Sequence, residues 1–321
     1  MANPYVPVTI TNSESSATPT DFQQYISIDM SPYSSVTNSE LSNCYWSLDT
    51  AGSTVLDSWR ETAASQTGTM VWWVNLGSNT IAANSTLTIY LQIPTTSQLN
   101  DTTTGEAPQL SSTYAKYDDG ASVFNNYWNF AGTSLPSAFS SSDASPTVDN
   151  GITWKPTTAG TYGYTLTTAT YSPPLIVEAY GTIPLNINYA EVGFSGTSSN
   201  IGTYVQSTGA STIVGLQYDG TVISSGTLAT TTTTGIWTIS AVSSTAANFY
   251  LNYGSEVSIT ADAPTYPLSI GFSGDEGNLE NFYWLRTRAY PPNGVMPTTS
   301  AGSLVDPGIN TTTSVEMVYE F

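Results

Sequence analysis

The chain has 321 residues and a formal net charge of −19, from 24 carboxylates and five cations, with no histidine and one cysteine. Lys116, Lys155, Arg60, Arg286 and Arg288 are the only fixed positive charges, too few to line a phosphate backbone, which argues against a nucleic-acid partner. The absence of histidine excludes a Ser-His-Asp triad, a His-liganded zinc and a histidine proton shuttle.

Charged residues make up 9% of the chain, against roughly 25% in an ordinary globular protein. Serine and threonine together supply 94 positions. Hydrophobic residues at 39% and aromatics at 12% still suffice for a sizeable core, so this polarity is not that of a disordered chain. The length suggests about two domains. Cys44, being alone, forbids an intrachain disulfide. No run approaches the ~18 apolar residues of a membrane span, so no membrane insertion is expected. The N-terminal MANPYVPVTITNS has neither a basic n-region nor an apolar h-region. Either a leader was removed or the protein leaves its cell without one, as a virion component does.

Taken in order, the elements are strands. Val6, Val8 and Ile10 alternate with Tyr5, Pro7 and Thr9; Ile26, Ile28 and Met30 follow, then Trp72, Val74 and Leu76, then Leu87, Ile89, Leu91 and Ile93. Turn residues bound each run, so 1–93 reads as a small β-sandwich. Residues 94–116 lack alternation and carry Pro94, Pro108 and a Thr run, which suits a linker. From 117 to 303, about eleven short strands recur at sandwich spacing, as in a two-sheet jelly roll. They include YGYTLTT (162–168), LIVEAYGTI (175–183), YAEVGF (189–194) and NFYWLRTRAY (281–290). Residues 304–321 form a tail in which Val315, Met317, Tyr319 and Phe321 share one face, with Glu316 and Glu320 opposite. Such a strand either closes its own domain's sheet or bridges the two domains, or it adds to a neighbouring subunit by β-augmentation.

Little in the sequence points to catalysis. A sandwich glucanase needs two acids on one strand face, and Glu-x-Asp-x-x-Glu does not occur. Asp275 and Glu276 are adjacent and face opposite ways before a strand, as in a turn. Asp118-Asp119-Gly120 offers hard oxygen ligands but also reads as a solvated turn. Asp118, Asp119, Asp275 and Glu276 are therefore the candidate cation residues, with calcium the one cofactor to consider. Asp49-Thr50-Ala51-Gly52 misses the acid-protease pattern by an insertion and reads as a hairpin turn. Cys44 has no base to activate it and reads as a small buried hydrophobe. Arg286 and Arg288 share a strand face and point to a carboxylate partner. The aromatics of the strand 281–290 must face both ways, so its sheet is either buried on both sides or exposes rings that stack on sugars. Asn84, Asn100 and Asn310 open N-glycosylation sequons in expected turns, linker and tail.

The stretches PVTITNSESSATPTDFQQ (7–24), YDDGASVFNNYWNFAGTSLP (117–136) and RAYPPNGVMP (288–297) resemble surface proteins of thermoacidophilic archaea and their viruses. These join an N-terminal domain of unknown function to a concanavalin-like, laminin-G-like sandwich. The resemblance covers residues 5–303 in order. It implies a secreted or virion-borne β-rich module, often glycosylated, without established catalytic residues. Unlike the secreted members, this sequence is expected to carry neither a signal peptide nor a C-terminal membrane anchor. The fold class expected is thus all-β: an N-terminal β-sandwich, a concanavalin-like jelly roll and a strand-forming tail. The function expected is that of a non-catalytic structural or adhesive protein, a virion spike, turret or fibre component. Its partners would be its own subunits or other virion and surface proteins, and host cell-surface glycans. A subunit of a cellular extracellular filament or surface layer, and an acid-stable carbohydrate-active enzyme, are the alternatives. With most carboxylates protonated at pH 2–3 and few ion pairs to break, little stability should be lost in acid.

Overall fold

The computed structural model describes residues 3–99, 103–185, 188–198, 201–209, 211–275 and 279–307. Asn100, Glu276, Asn310, Val315, Met317, Tyr319 and Phe321 lie outside the described residues. As the alternation indicates, the chain is all-β, with 24 strands and only short helical turns such as Gly120–Val123 among the described residues.

The first sandwich packs a five-stranded sheet on a four-stranded one. The five strands run in the order Thr298–Ala301, Tyr5–Asn12, Ser85–Gln92, Tyr45–Ser47, Val55–Leu56. Tyr5–Asn12 pairs with Ser85–Gln92 over its whole length, and its period of two sends Val6, Val8 and Ile10 inward. The four-stranded sheet is ordered Gln23–Asp29, Thr69–Asn75, Ser58–Arg60, Thr104–Glu106. Ile26, Ile28, Met70, Trp72 and Val74 face Trp46, Ile89 and Leu91 across the core.

Two boundaries differ from those the sequence suggests. Within 94–116, Thr104–Glu106 runs parallel to Ser58–Arg60, and all three residues are buried. Three residues are too few to show alternation, and the Glu106 carboxylate is drawn in by an ion pair to Arg60 at 2.5 Å. At the other end, Thr298–Ala301 returns to pair with Tyr5–Asn12, and Val305 bridges Tyr5. The second sandwich is therefore an excursion from within the first.

In the second sandwich a seven-stranded sheet faces an eight-stranded one. The first is ordered Phe139–Ser142, Gly163–Thr167, Ser269–Gly274, Asn188–Ser195, Ile201–Thr208, Ile213–Asp219, Ile223–Ala229. The second is built around Leu279–Arg288, Leu175–Ile183 and Thr233–Ala241. Val192, Phe194, Val205, Ile270 and Phe272 from one sheet meet Val177, Ala179, Trp237, Ile239 and Leu285 from the other. Leu279–Arg288 bulges against Leu175–Ile183 between Tyr180 and Thr182. There Phe282 turns into the core over Gly181, where a Cβ would lie 2.4 Å from the ring, while Tyr283 and Trp284 stay on the outer face.

That outer face is covered by the first sandwich, whose Trp59 and Trp73 pack with Phe124 and with Ile236 and Trp284 of the sheet itself. Both faces of the aromatic strand are thus buried over its C-terminal half. At the centre sits Arg286, fully buried, with its guanidinium carbon 4.3–5.0 Å from the rings of Trp59, Trp73, Phe124 and Trp284. It pairs with Glu61 of the first sandwich at 2.9 Å and with Glu178 of its own sheet at 2.7 Å. Arg288 takes the other Glu178 oxygen at 2.9 Å, the carboxylate partner that the i, i+2 spacing calls for. Trp73 Nε1 and the Tyr253 hydroxyl also donate to Glu61, each at 2.9 Å. Burial alone would raise the Glu178 carboxyl, but Arg288 and Arg286 outweigh it and hold it below its ordinary range.

Candidate functional site

On the outward face of the seven-stranded sheet, away from the first sandwich, lies a cleft of about 410 Å³. Tyr162, Tyr189, Glu191, Tyr218, Ile223, Gly274 and Asp275 line it. Alternation explains the placement. Ala190, Val192 and Phe194 point into the core, so Glu191, Gly193 and Ser195 point out. Cross-strand register puts Gln206 and Ser273 beside Glu191, and Leu216 beside Tyr204. Tyr204, Val214 and Leu216 form a small apolar cluster of their own on this face, with Tyr218 packed against it. Gly274, at φ +143°, lets the strand end approach Tyr189; a Cβ there would lie 1.8 Å from the Tyr189 carbonyl oxygen. That approach brings Asp275 into the cleft.

Glu191 is the chemical centre. Gln206 Nε2 donates to its Oε1 at 2.8 Å, and Ser273 Oγ to its Oε2 at 2.7 Å. Ser273 Oγ is also 3.0 Å from Ser195 Oγ, which is 2.8 Å from the Tyr162 hydroxyl. Burial pushes the Glu191 carboxyl up to about 7 despite the hydrogen bonds from Ser273, Gln206 and Tyr204, and the nearby Asp275 charge adds to the rise. Burial also raises the Tyr162 and Tyr204 hydroxyls, helped in each by the Glu191 charge. A carboxyl that protonates near neutrality can accept or donate a hydrogen bond, and tyrosine rings on either side can take the apolar faces of a polyol. Among the described residues no arginine or lysine lines the cleft.

The strand face Glu191, Gly193, Ser195 carries one acid where paired glucanase chemistry needs two; Asp275 comes from the neighbouring strand's end instead. Because its strand face holds no second acid, Glu191 does not stand out in the sequence as half of a catalytic pair. Its signal was an acid inside the alternating run YAEVGF, which register then joins to Gln206 and Ser273.

Of the candidate cation residues that are described, Asp118 and Asp119 are not brought together with Asp275. Asp118 lies at the junction of the sandwiches and accepts from Tyr127 and Asn129 at 2.7 Å and from Trp59 Nε1 and the Gly120 N–H at 2.9 Å. Burial nonetheless raises its carboxyl above the ordinary value. The solvated-turn reading of Asp118-Asp119 is corrected: Asp119 is buried, and four donors converge on Asp118 because it ties the first sandwich's Trp59 to the second. Asp275 is in the cleft. Among the described residues no three His, Cys, Asp or Glu side chains converge as a metal site would require. Asn84 sits exposed in a turn at φ +50°. Cys44 is buried, and burial pushes its thiol up to about 12. Asp49 caps a hairpin turn, accepting from the Ser53 and Thr54 N–H groups. Among the described residues no helix is long and apolar enough to cross a membrane.

No protein-family profile matches this chain. Over 122 residues it is 40% identical to "Uncharacterized protein 562" of Sulfolobus islandicus rod-shaped virus 1. That segment is 38% of this chain and 21% of the viral protein, so the match spans about a fifth of the relative's length. Among solved structures, a Bacillus licheniformis β-glucanase aligns with 51% of this chain and 97% of its own at 10% identity and a TM-score of 0.39. A glycosyl hydrolase family protein from Mycobacterium fortuitum aligns with 51% and 99% at 11% identity and a TM-score of 0.38. The metal-free carbohydrate recognition domain of Emp46p aligns with 50% and 89% at 10% identity and a TM-score of 0.35.

Proposed function

We propose that this chain is a non-catalytic, saccharide-binding structural protein of a virion surface or related extracellular assembly, contacting host glycans through the Glu191 cleft. The observation that carries the reading is the cleft itself, in which Tyr162, Tyr189 and Tyr218 surround a buried Glu191–Gln206–Ser273 hydrogen-bond set with no cation in the lining. That lining suits a neutral, hydroxyl-rich ligand with apolar ring faces. The identity shared with a protein of a rod-shaped archaeal virus supports the virion setting. Glycan-array binding at pH 3–6 tests the ligand class, with Tyr218→Ala expected to weaken it at least about tenfold. Unchanged binding in that variant would remove the cleft from the reading. Purified virions of a producing culture should contain the chain, and its absence from them would favour a cellular filament or surface layer.

One observation favours a second reading, glycoside hydrolysis. Glu191 protonates near pH 7 beside a second carboxylate, Asp275, as an acid and its partner must. Release of reducing ends from any bound glycan, lost in Glu191→Gln, would establish it over the binding role.

A further inference from the structure

A second cavity, of about 250 Å³, opens on the other sheet of the same sandwich. Its lining includes Asp149, Asn150, Thr147, Thr153, Asn281 and Tyr283. Two irregular pieces of backbone meet there. One is the turn between the short strands Thr147–Val148 and Ile152–Trp154, with Asn150 at φ +51° and Gly151 at φ +124°. The other is the bulge in Leu279–Arg288, with Asn281 at φ +49°. Positive φ at two non-glycine residues facing one cavity is held against its cost by the surrounding packing. The turn is pinned by the Asn150 N–H donating to the Gly132 carbonyl at 3.0 Å, and by the Gly132 N–H donating to Asn150 Oδ1 at 3.2 Å.

The bulge has a further effect. It holds Tyr283 on the outer face, stacked on Tyr180 at 5.6 Å, which is itself stacked on Trp284 at 5.9 Å. The Tyr114 hydroxyl reaches the Tyr283 carbonyl at 2.7 Å and steadies it from the first sandwich's side. The cavity thus has one half-buried aromatic wall backed by other rings. Around it are two amides, two hydroxyls and one carboxylate, with Asp149, Asn150 and Asn281 exposed. One carboxylate is too few for a calcium ion, and the lining holds no cation to attract an anion. Neutral hydroxyls bonded by amides and a carboxylate, with a ring face against tyrosine, are what this chemistry accepts.

We propose that this cavity is a second saccharide site, taking one hexose-sized neutral ring, on the sheet opposite the Glu191 cleft. The assignment rests on the ligand class of the proposed function but not on the cleft, so the full chain would grip glycans at two independent points.

Saturation-transfer NMR with the methyl glycosides of glucose, galactose and mannose tests it at acid pH. Asn281→Gly removes the amide while keeping the positive φ, and Tyr283→Ala removes the wall; a thermal melt checks that each is folded. Each is expected to abolish the transfer that survives in Tyr218→Ala, with roughly tenfold weaker binding at this site alone. If both leave the Tyr218→Ala signal unchanged, the second site is overturned and the cleft stands. If Tyr218→Ala changes nothing while Asn281→Gly abolishes transfer, the cleft falls and this site remains. Absence of transfer from every glycoside to the wild-type chain overturns both.

Discussion

Replacing Arg286 with methionine fills much of its volume but removes the charge that joins the two sandwiches. Glu178 keeps Arg288 at 2.9 Å. Glu61 loses its only cation within ion-pair reach among the described residues and is left with the Trp73 and Tyr253 donors. Breaking a buried ion pair from one side typically costs about 3–5 kcal/mol, because the remaining charge stays desolvated. The cation–π contacts are part of that loss rather than an addition to it. At ~2–4 °C per kcal/mol for units of this size, calorimetry at pH 7 should show Tm falling by on the order of 10 °C. Adding Glu61→Gln to Arg286→Met should return part of that loss, since the stranded charge is gone. A single variant that melts within about 2 °C of wild type, or a double variant no more stable than the single, would refute the assignment of Arg286 as the charged tie between the sandwiches.

Four further outcomes follow from burial, charge and packing. Glu191 has a folded-state value raised from 4.5 to about 7, so its stabilising effect is complete below pH ~4.5 and is lost as pH rises through 7. Linkage puts that loss at about 3 kcal/mol at most, and Glu191→Gln should therefore melt higher than wild type at pH 8 and equally at pH 4. Glu178 is shifted the other way; its contribution is present above its unfolded value and lost only as pH falls through the lower folded one. The penalty of Glu178→Gln should thus be large at pH 7 and shrink in strong acid, read by melting across pH 2–7. The Cys44 thiol, buried and raised to about 12, should resist iodoacetamide in the native state and react only with unfolding. Gly181→Ala should destabilise by about 1–3 kcal/mol, because the new Cβ would sit 2.4 Å from the Phe282 ring; chemical denaturation measures it.

The opposed signs of Glu191 and Glu178 refine the acid tolerance that composition suggests. Scarce charge would be only part of it, since burial raises the Glu191 carboxyl while Arg288 and Arg286 lower that of Glu178.

Strand identity was readable because burial imposes a period of two, and Val6, Val8 and Ile10 or Ala190, Val192 and Phe194 display it directly. The partner of Arg286 and Arg288 was readable as a carboxylate because two cations on one face in a cation-poor chain need one. Which carboxylate was not, since Glu61 lies 225 positions away. The cleft escaped for a related reason: Glu191, Gln206, Ser273 and Asp275 come from three strands whose register no local pattern encodes. The place of Asp118 is hidden because Asp-Asp-Gly is ordinarily a turn at the surface, and only the docking of Trp59 and Tyr127 takes it inside. The return of Thr298–Ala301 to the first sheet left no trace that a four-residue polar strand could carry.

That return has a mechanical consequence. Tyr5 and Val305 are bridged neighbours at one end of an antiparallel pair, so tension applied through these two points acts as on a zipper. Hydrogen bonds between Thr298–Ala301 and Tyr5–Asn12 would be loaded one after another, not together in shear. The sandwich bearing both cavities lies off this load path until that short strand has peeled away. A pull through these points would then lengthen the first sandwich while the second stays folded.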